Sequence, residues 1–152
     1  MATTTPKTGS CLCGAVKVKV TGQPVFVNLC HCINCQKATG TLFNSSATYQ
    51  AEDVEFTCTS PDIIQEFQVS NTATGSPLSR FFCRVCGSKV RNKSGMGGEK
   101  YVTIPFGILD DKSGLKPQYE FFCANREDWF GDFDGVPRAN GMEPVLAMAQ
   151  GS

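Results

Sequence analysis

The stretch Cys83–Arg84–Val85–Cys86–Gly87 decides the fold, because two cysteines at this spacing need partners from a distant part of the chain. A Cys-x-x-Cys pair followed by glycine suits a tight knuckle turn, in which both sulfur atoms converge on one metal ion. Gly87 then takes a backbone conformation that is closed to bulkier residues. A tetrahedral ion held by two thiolates needs two more ligands, and Cys11–Leu12–Cys13–Gly14 can supply them.

Cys11 and Cys13 are two positions apart, so in an extended strand their side chains point to one face. One zinc ion, with zinc–sulfur distances of ~2.3 Å, can bind both. We therefore predict a closed structural zinc site on Cys11, Cys13, Cys83 and Cys86, here called the four-cysteine cluster. It would tie together segments about 70 positions apart and contribute free energy of folding. The alternative is a redox-active Cys-x-x-Cys pair, but the thioredoxin-like βαβ pattern that it requires is absent.

The segment Cys30–His31–Cys32–Ile33–Asn34–Cys35 holds three cysteines within six residues. Cys30 and Cys32 share a face if the chain is extended there, and Cys35 can curl back at the start of a short helical turn. Three thiolates leave the fourth position of a tetrahedral zinc ion open, as in a catalytic site. We therefore predict a second, catalytic zinc ion on Cys30, Cys32 and Cys35, here called the three-cysteine cluster.

His31 is the one histidine of the chain and lies between two of these cysteines. Its side chain should point away from the ion that they bind, and we interpret it as a hydrogen-bonded residue behind the ligands, with a ligand role as the alternative. A zinc site of the carbonic-anhydrase or thermolysin type is excluded, since both need several histidines. Cys58 and Cys123 stand alone in apolar strand patterns, where packing is the expected role. Cys123 remains a candidate for completing the three-cysteine cluster.

Composition narrows the function. With 152 residues, 41 % of them apolar, the chain has the size of one domain with a real core. Its 14 basic and 14 acidic residues balance, and it has no basic stripe of the kind that nucleic-acid-binding proteins carry. No apolar run approaches the ~18 residues of a membrane span, and the first ten residues are polar rather than signal-like. We expect a cytoplasmic protein whose reduced cysteines bind metal.

The rest of the chain predicts mainly β-strands. Ala15–Val20 alternates valine with lysine, which is typical of a half-buried strand. Seven further segments have strand character between turn-rich stretches: Pro24–Leu29, Asp53–Thr59, Ile63–Val69, Ser79–Phe82, Ser88–Arg91, Tyr101–Pro105 and Tyr119–Ala124. The one helix predicted near the cysteines is short, around Asn34–Thr39. These elements together predict an all-β fold.

Three stretches carry a resemblance to a known family: Gly9–Ser10–Cys11–Leu12–Cys13–Gly14–Ala15–Val16, Cys30–His31–Cys32–Ile33–Asn34–Cys35–Gln36–Lys37–Ala38–Thr39–Gly40 and Arg80–Phe81–Phe82–Cys83–Arg84–Val85–Cys86–Gly87. Weaker matches follow at 106–111 and 125–137. The chain resembles the family of glutathione-dependent formaldehyde-activating enzymes, which includes centromere protein V. The resemblance implies a β-tent fold of twisted antiparallel sheets, a structural zinc on the four-cysteine cluster and a catalytic zinc on the three-cysteine cluster.

The resemblance also bounds the domain and its activity. We place the zinc-binding domain at 9–137, between a disordered tail at 1–8 and a partly ordered tail at 138–152. The family is classed with carbon–sulfur lyases that act on a glutathione adduct of formaldehyde, which implies zinc-dependent lyase activity with glutathione as co-substrate. Glu120 stands where many members carry a histidine, and Gln36 stands where an arginine is frequent. Both changes fall near the expected cavity and leave the carbonyl substrate open.

Three thiolates make zinc a weaker Lewis acid than three histidines do, so the site suits a sulfur ligand better than hydrolysis. This favours an enzyme that makes or breaks a carbon–sulfur bond. Three other functions stay open: a non-catalytic glutathione or thiol carrier, a zinc-stabilised interaction module, and a pathway enzyme of the same fold that acts on a larger carbonyl or quinone-like metabolite.

Further candidate residues follow from their place near the cysteines. Glu120 and Asp110 are the candidate acid–base groups. Six residues offer an imidazole, a cation, a hydroxyl or an aromatic wall to a substrate: His31, Lys37, Thr39, Phe43, Arg80 and Trp129. Cations are expected because glutathione carries two carboxylates. We expect a small-molecule partner, no nucleic-acid or membrane partner, and a monomer or homodimer.

Overall fold

Strands account for most of the regular structure. The computed structural model describes residues 5–150, with side chains as far as Ala147. The ten strands are β1 (Lys7–Ser10), β2 (Val16–Val20), β3 (Phe26–Cys30), β4 (Asn44–Gln50), β5 (Val54–Cys58), β6 (Ile64–Val69), β7 (Leu78–Cys83), β8 (Lys89–Ser94), β9 (Tyr101–Pro105) and β10 (Tyr119–Phe121). The helices are α1 (Ile33–Thr39), α2 (Glu143–Gln150) and three 3₁₀ turns at Ala51–Asp53, Phe106–Ile108 and Cys123–Asn125. The described chain is therefore mostly β-sheet with few short helices, which confirms the predicted fold class. None of its helices has both the length and the apolar character needed to cross a membrane.

The chain divides into two units. The first runs to Phe26 and resumes over Ser46–Leu115, and the second comprises Val27–Ser45 and the chain from Lys116 onward. In the first unit, β2 pairs antiparallel with both β1 and β5. A second antiparallel arrangement in the same unit has the order β4, β9, β8, β7, β6, with β4 contributing its residues from Ser46 onward.

Alternation along the strands fixes which faces are buried. Val16, Val18 and Val20 are buried, whereas Lys17 and Lys19 between them are exposed. This confirms the half-buried strand that the sequence predicts. Tyr49 and Ile104 are also buried, on the neighbouring strands β4 and β9. Burial of a side chain of this size stabilises a fold by about 1.5–3 kcal/mol.

The second unit contains a strand pair that departs from the expected antiparallel pattern. β10 runs parallel to β3, with Tyr119 opposite Asn28 and Phe121 opposite Cys30. Gln118 sets this register, because its backbone N–H donates to Val27 O at 2.8 Å and its side-chain oxygen accepts from Val27 N at 2.9 Å. The strand predicted as far as Ala124 ends three residues earlier, because Phe122 takes a left-handed conformation with φ of 57°.

Three elements are absent from the sequence prediction: β1, β4 and α2. β1 and β4 consist mostly of small polar residues, which carry no strand signal of their own. Lys7 and Thr8, placed in the N-terminal tail, pair with Val20 and Lys19, so the tail does not include them. Residues 1–4 lie outside the described part of the chain. The domain boundaries at 9–137 stay a prediction.

Gly9 marks a point where two backbones approach closely. It forms an isolated antiparallel bridge with Leu109, and a Cβ atom at position 9 would lie 2.0 Å from Ile108 O. We predict that Gly9→Ala lowers the free energy of unfolding by about 2 kcal/mol or more, measured by urea denaturation. Gly107→Ala is the matched control, since a Cβ there meets nothing within 4 Å. Equal losses in the two variants would show that the close approach does not matter.

Candidate functional site

Four sulfur atoms of the first unit converge. The Sγ atoms of the four-cysteine cluster all lie within 4.8 Å of one another, with Cys11 to Cys13 at 3.6 Å and Cys13 to Cys83 at 3.7 Å. A tetrahedron of sulfur atoms at ~2.3 Å from its centre has edges of ~3.8 Å. The observed separations fit that tetrahedron, so these four residues could hold a zinc ion.

Two turns place these sulfur atoms. In the turn after β7, Gly87 N donates to Cys83 O at 2.8 Å, and Gly87 has a φ of 70°. Cys11 and Cys13 lie in a similar turn and not in an extended strand as predicted, since Gly14 N donates to Cys11 O at 2.9 Å with Gly14 at φ 76°. The physical reason is that β1 and β2 pair antiparallel, so the chain must reverse between them.

Polar groups and crowding set the ionisation of these thiols. A hydrogen bond to Ser88 lowers the pKa of Cys86 to about 5. The backbone of Ala15 lowers the pKa of Cys13, but desolvation and the three neighbouring thiols outweigh it and raise that pKa to about 12. Four thiols at this distance cannot all ionise unless a cation offsets their repulsion. The cluster therefore has the electrostatics of a metal site.

The three-cysteine cluster forms where β3 gives way to α1. Cys30 ends β3, Cys32 is the N-cap of α1, and Cys35 lies in the first turn of the helix. Their Sγ atoms lie within 4.8 Å of one another, and Cys35 N donates to Cys32 Sγ at 3.3 Å. The helix ends at Thr39 and is capped by Gly40, with φ of 65°, which confirms the short helix predicted around 34–39.

The surroundings of the three sulfur atoms are partly apolar. Cys30 and Cys35 are buried, whereas Cys32 is half-buried. Interactions with Cys32 and Cys35, together with burial, raise the pKa of Cys30 far above its ordinary value. Cys123 does not complete this cluster, because it groups instead with His31 and Glu120 and its Sγ donates to Glu120 O at 3.5 Å. Among residues 5–150, no fourth cysteine, histidine or carboxylate lies within 4.8 Å of all three sulfur atoms.

Glu120 is the centre of a buried polar network in the second unit. Its Oε1 lies 2.8 Å from His31 Nε2 and accepts from Arg126 Nε at 3.2 Å, and its Oε2 accepts from Arg138 Nε at 3.3 Å. His31 and Glu120 are both essentially inaccessible to solvent. A carboxylate in this position can fix the orientation of the imidazole. The acid–base role predicted for Glu120 stays a prediction. Nδ1 of His31 is buried and has no hydrogen-bond partner among the residues that the structure describes.

The imidazole contacts a cluster of three phenylalanine rings through Phe43. The Phe43 ring centroid lies 5.5 Å from that of His31, 5.4 Å from Phe130 and 5.8 Å from Phe133. All three phenylalanines are half-buried. Trp129, predicted to contact substrate, is 73 % exposed and meets only the edge of this group through Phe130. The second unit therefore contains a half-buried aromatic cluster next to Phe43 and His31.

The other predicted substrate residues lie in several places. Lys37 is exposed on α1, and Thr39 donates from Oγ1 to Cys35 O at 2.8 Å, which stabilises the helix end. Gln36 donates from Nε2 to Leu42 O at 3.2 Å and to Asn125 O at 3.1 Å. These two hydrogen bonds join α1 to the segments that contain Leu42 and Asn125, so Gln36 stabilises the position of the helix.

Asp110 and Arg80 belong to the first unit. Asp110 accepts from Thr8 Oγ1 at 3.4 Å and lines a cavity of about 490 Å³ on the polar face of the β1–β2–β5 sheet, whose lining includes no cysteine. Arg80 is buried on β7. The roles predicted for both residues stay predictions.

Sequence reasoning missed four residues of the second unit: Phe130, Phe133, Asp132 and Arg138. The spacing of Trp129, Phe130 and Phe133 was a usable aromatic signal. Nothing in the sequence pattern pointed to Arg138, which reaches Glu120 from 18 positions away.

The chain is similar to one known protein family in sequence and to a solved structure in fold. A sequence model described as glutathione-dependent formaldehyde-activating enzyme matches residues 6–125. A search of curated proteins found no match. A crystal structure of a Rhodobacter sphaeroides protein is similar, with a TM-score of 0.54 and 20 % sequence identity over 87 % of this chain and 99 % of that chain. At this identity the likeness concerns the fold alone.

We predict that Glu120→Gln lowers the free energy of unfolding by about 3 kcal/mol, because two guanidinium groups and His31 lose a buried charged partner. Urea denaturation measures the loss. Glu127→Gln is the control, since Glu127 is an exposed carboxylate a few residues away, and its variant should change stability by about 0.5 kcal/mol or less. A Glu120→Gln variant as stable as the control would remove Glu120 from the centre of the network.

Proposed function

The chain belongs to the family of glutathione-dependent formaldehyde-activating enzymes. We propose that it acts on the adduct that a thiol, first of all glutathione, forms with formaldehyde or another small carbonyl compound. The reaction class is that of a zinc-dependent carbon–sulfur lyase. One observation carries the proposal: within the described part of the chain, four sulfur atoms lie together in one cluster and three in the other. A cluster of four is closed, whereas a cluster of three leaves room for a ligand from outside.

The donor sets fit zinc. All seven side chains are thiols, the ligands that soft and borderline metals prefer, and their spacing suits a tetrahedral ion. The four-cysteine cluster would hold a structural ion and the three-cysteine cluster a catalytic one. When bound to the latter, zinc supplies a positive centre that favours the thiolate form of a thiol.

The chain's own residues would orient and shield the reactants. Glu120 accepts a hydrogen bond from His31 Nε2, which fixes the orientation of the buried imidazole that lies between Cys30 and Cys32 in the chain. The ring of Phe43 limits the access of water to that imidazole. In adduct formation the thiol sulfur bonds to the carbonyl carbon and the thiol proton ends on the carbonyl oxygen; cleavage reverses both changes.

A larger carbonyl or quinone-like metabolite is the second candidate substrate. The cluster of three half-buried phenylalanines, which contacts His31 through Phe43, favours it, because a one-carbon carbonyl compound needs no aromatic surface. Turnover with glutathione and each carbonyl compound separates these candidates, and binding without turnover would identify a thiol carrier.

The proposed compartment is the cytoplasm. All nine cysteines are free thiols, including the seven that form the two clusters. Thiols of this kind persist as metal ligands where glutathione and thioredoxin keep them reduced.

We predict that Cys35→Ser loses one zinc ion and at least about 100-fold of the turnover, while the fold remains. Cys86→Ser should lose the other ion and unfold at lower temperature, because that ion joins distant segments. Elemental analysis and thermal unfolding by circular dichroism measure both effects, with Cys58→Ser as a control outside the clusters. An unfolded Cys35→Ser protein would indicate a structural second site.

We also predict that glutathione changes the sulfur-to-metal absorption of the cobalt-substituted protein, because a fourth sulfur atom then reaches the open cluster. The change should be absent in Cys35→Ser and present in Cys58→Ser. An unchanged spectrum at saturating glutathione would contradict thiol binding at the three-cysteine cluster.

A further inference from the structure

Arg126 and Arg138 form a pair of guanidinium groups whose orientation is fixed by contacts within the protein. Both donate through Nε to Glu120, and both direct Nη2 toward one oxygen of Asp132. Arg126 Nη2 lies 3.7 Å from Asp132 Oδ1, and Arg138 Nη2 is hydrogen bonded to the same atom. Arg126 also donates to Gly131 O and lies over the Phe130 ring, with its guanidinium carbon 5.1 Å from the ring centroid. These contacts fix the orientation of the pair.

The two carboxylates that the pair binds differ in accessibility. The Glu120 side chain is fully buried and that of Arg126 is 8 % exposed, whereas the Asp132 side chain is 77 % exposed and that of Arg138 is 40 % exposed, so Arg138 is the accessible member of the pair. An exposed ion pair contributes little to stability and exchanges readily with solvent or with other ions. Glu120 is therefore a permanent partner of the arginines, and Asp132 is a replaceable one.

We propose that Arg126 and Arg138 form a carboxylate-binding subsite for the thiol substrate and that Asp132 occupies it in the absence of substrate. This inference rests on the proposed function and names the group by which the thiol is recognised. Two guanidinium groups balance two carboxylates, so the pair carries one excess positive charge when Asp132 leaves. A substrate carboxylate restores the balance and matches the planar donor geometry of arginine.

Glu120 connects the subsite to the segment that carries the three-cysteine cluster. Glu120 links both arginines to His31, whose neighbours in the chain are Cys30 and Cys32. An extended peptide advances about 3.3–3.6 Å per residue, so a tripeptide with a central cysteine carries its end carboxylates roughly 7–10 Å from the sulfur atom. A peptide thiol of this size can therefore bridge a sulfur site and a carboxylate site that lie up to about 10 Å apart.

The test compares glutathione with its diethyl ester, in which both carboxylates are blocked, by calorimetric titration of the zinc-loaded protein at low salt. The wild type should bind glutathione at least about tenfold more tightly than the ester. Arg138→Gln should lose this preference, and Arg138→Lys should retain part of it. Asp132→Asn should strengthen glutathione binding by about threefold or more and leave ester binding unchanged. Asp134→Asn, a nearby exposed carboxylate, is the control and should change neither affinity.

Equal binding of glutathione and ester by the wild type would overturn the subsite and leave the proposed function in place. Weaker glutathione binding in Asp132→Asn would also overturn it, because Asp132 would then support the site instead of occupying it. If neither compound binds, the proposed function fails and the subsite with it. Should Arg138→Gln not fold, Asp132→Asn and Arg138→Lys carry the test.

Discussion

The crowding of thiols is the constraint on which the rest of the structure depends. In the first unit, Cys13 and Cys83 hold their sulfur atoms 3.7 Å apart although 70 positions separate them in the chain. Ionised sulfur atoms repel at this distance, and a bound cation turns that repulsion into attraction. A cation bound there would couple its binding to folding, since the unfolded chain cannot hold the four thiols together. The turns that end at Gly14 and Gly87 bring the four sulfur atoms together.

The three-cysteine cluster follows a different physical plan. All its ligands come from six consecutive residues, so it ties no distant segments together and has little to contribute to the fold. A strand end, an N-cap and a helical turn place the three sulfur atoms. The side chains of His31, Arg126 and Arg138 are oriented by Glu120, whose buried carboxylate contacts all three. A rigid set of donors with one place left for an outside ligand is the structural basis of the proposed chemistry.

Patterns within short stretches of sequence predicted the features that depend on residues close together in the chain. The valine–lysine alternation of β2 and the cysteine spacings led to a β fold and to both clusters, and the short helix α1 was found from the sequence that follows Cys32. β1 and β4 were missed because small polar residues form strands there through pairing with neighbours and not through propensity. The parallel register of β10 on β3 depends on Gln118 and Val27, which lie 91 positions apart. The Glu120 network was equally hidden, since Arg138 lies in a segment that the sequence assigns to a tail.

Zinc X-ray absorption spectroscopy tests the central claim most directly. With two ions in unlike clusters, the protein without added thiol should show about 3.5 sulfur ligands per zinc and about half a lighter ligand. Saturating glutathione should raise the average to about four sulfur atoms. Four sulfur atoms per zinc before any thiol is added, or no change afterwards, would contradict the claim that the second cluster is open.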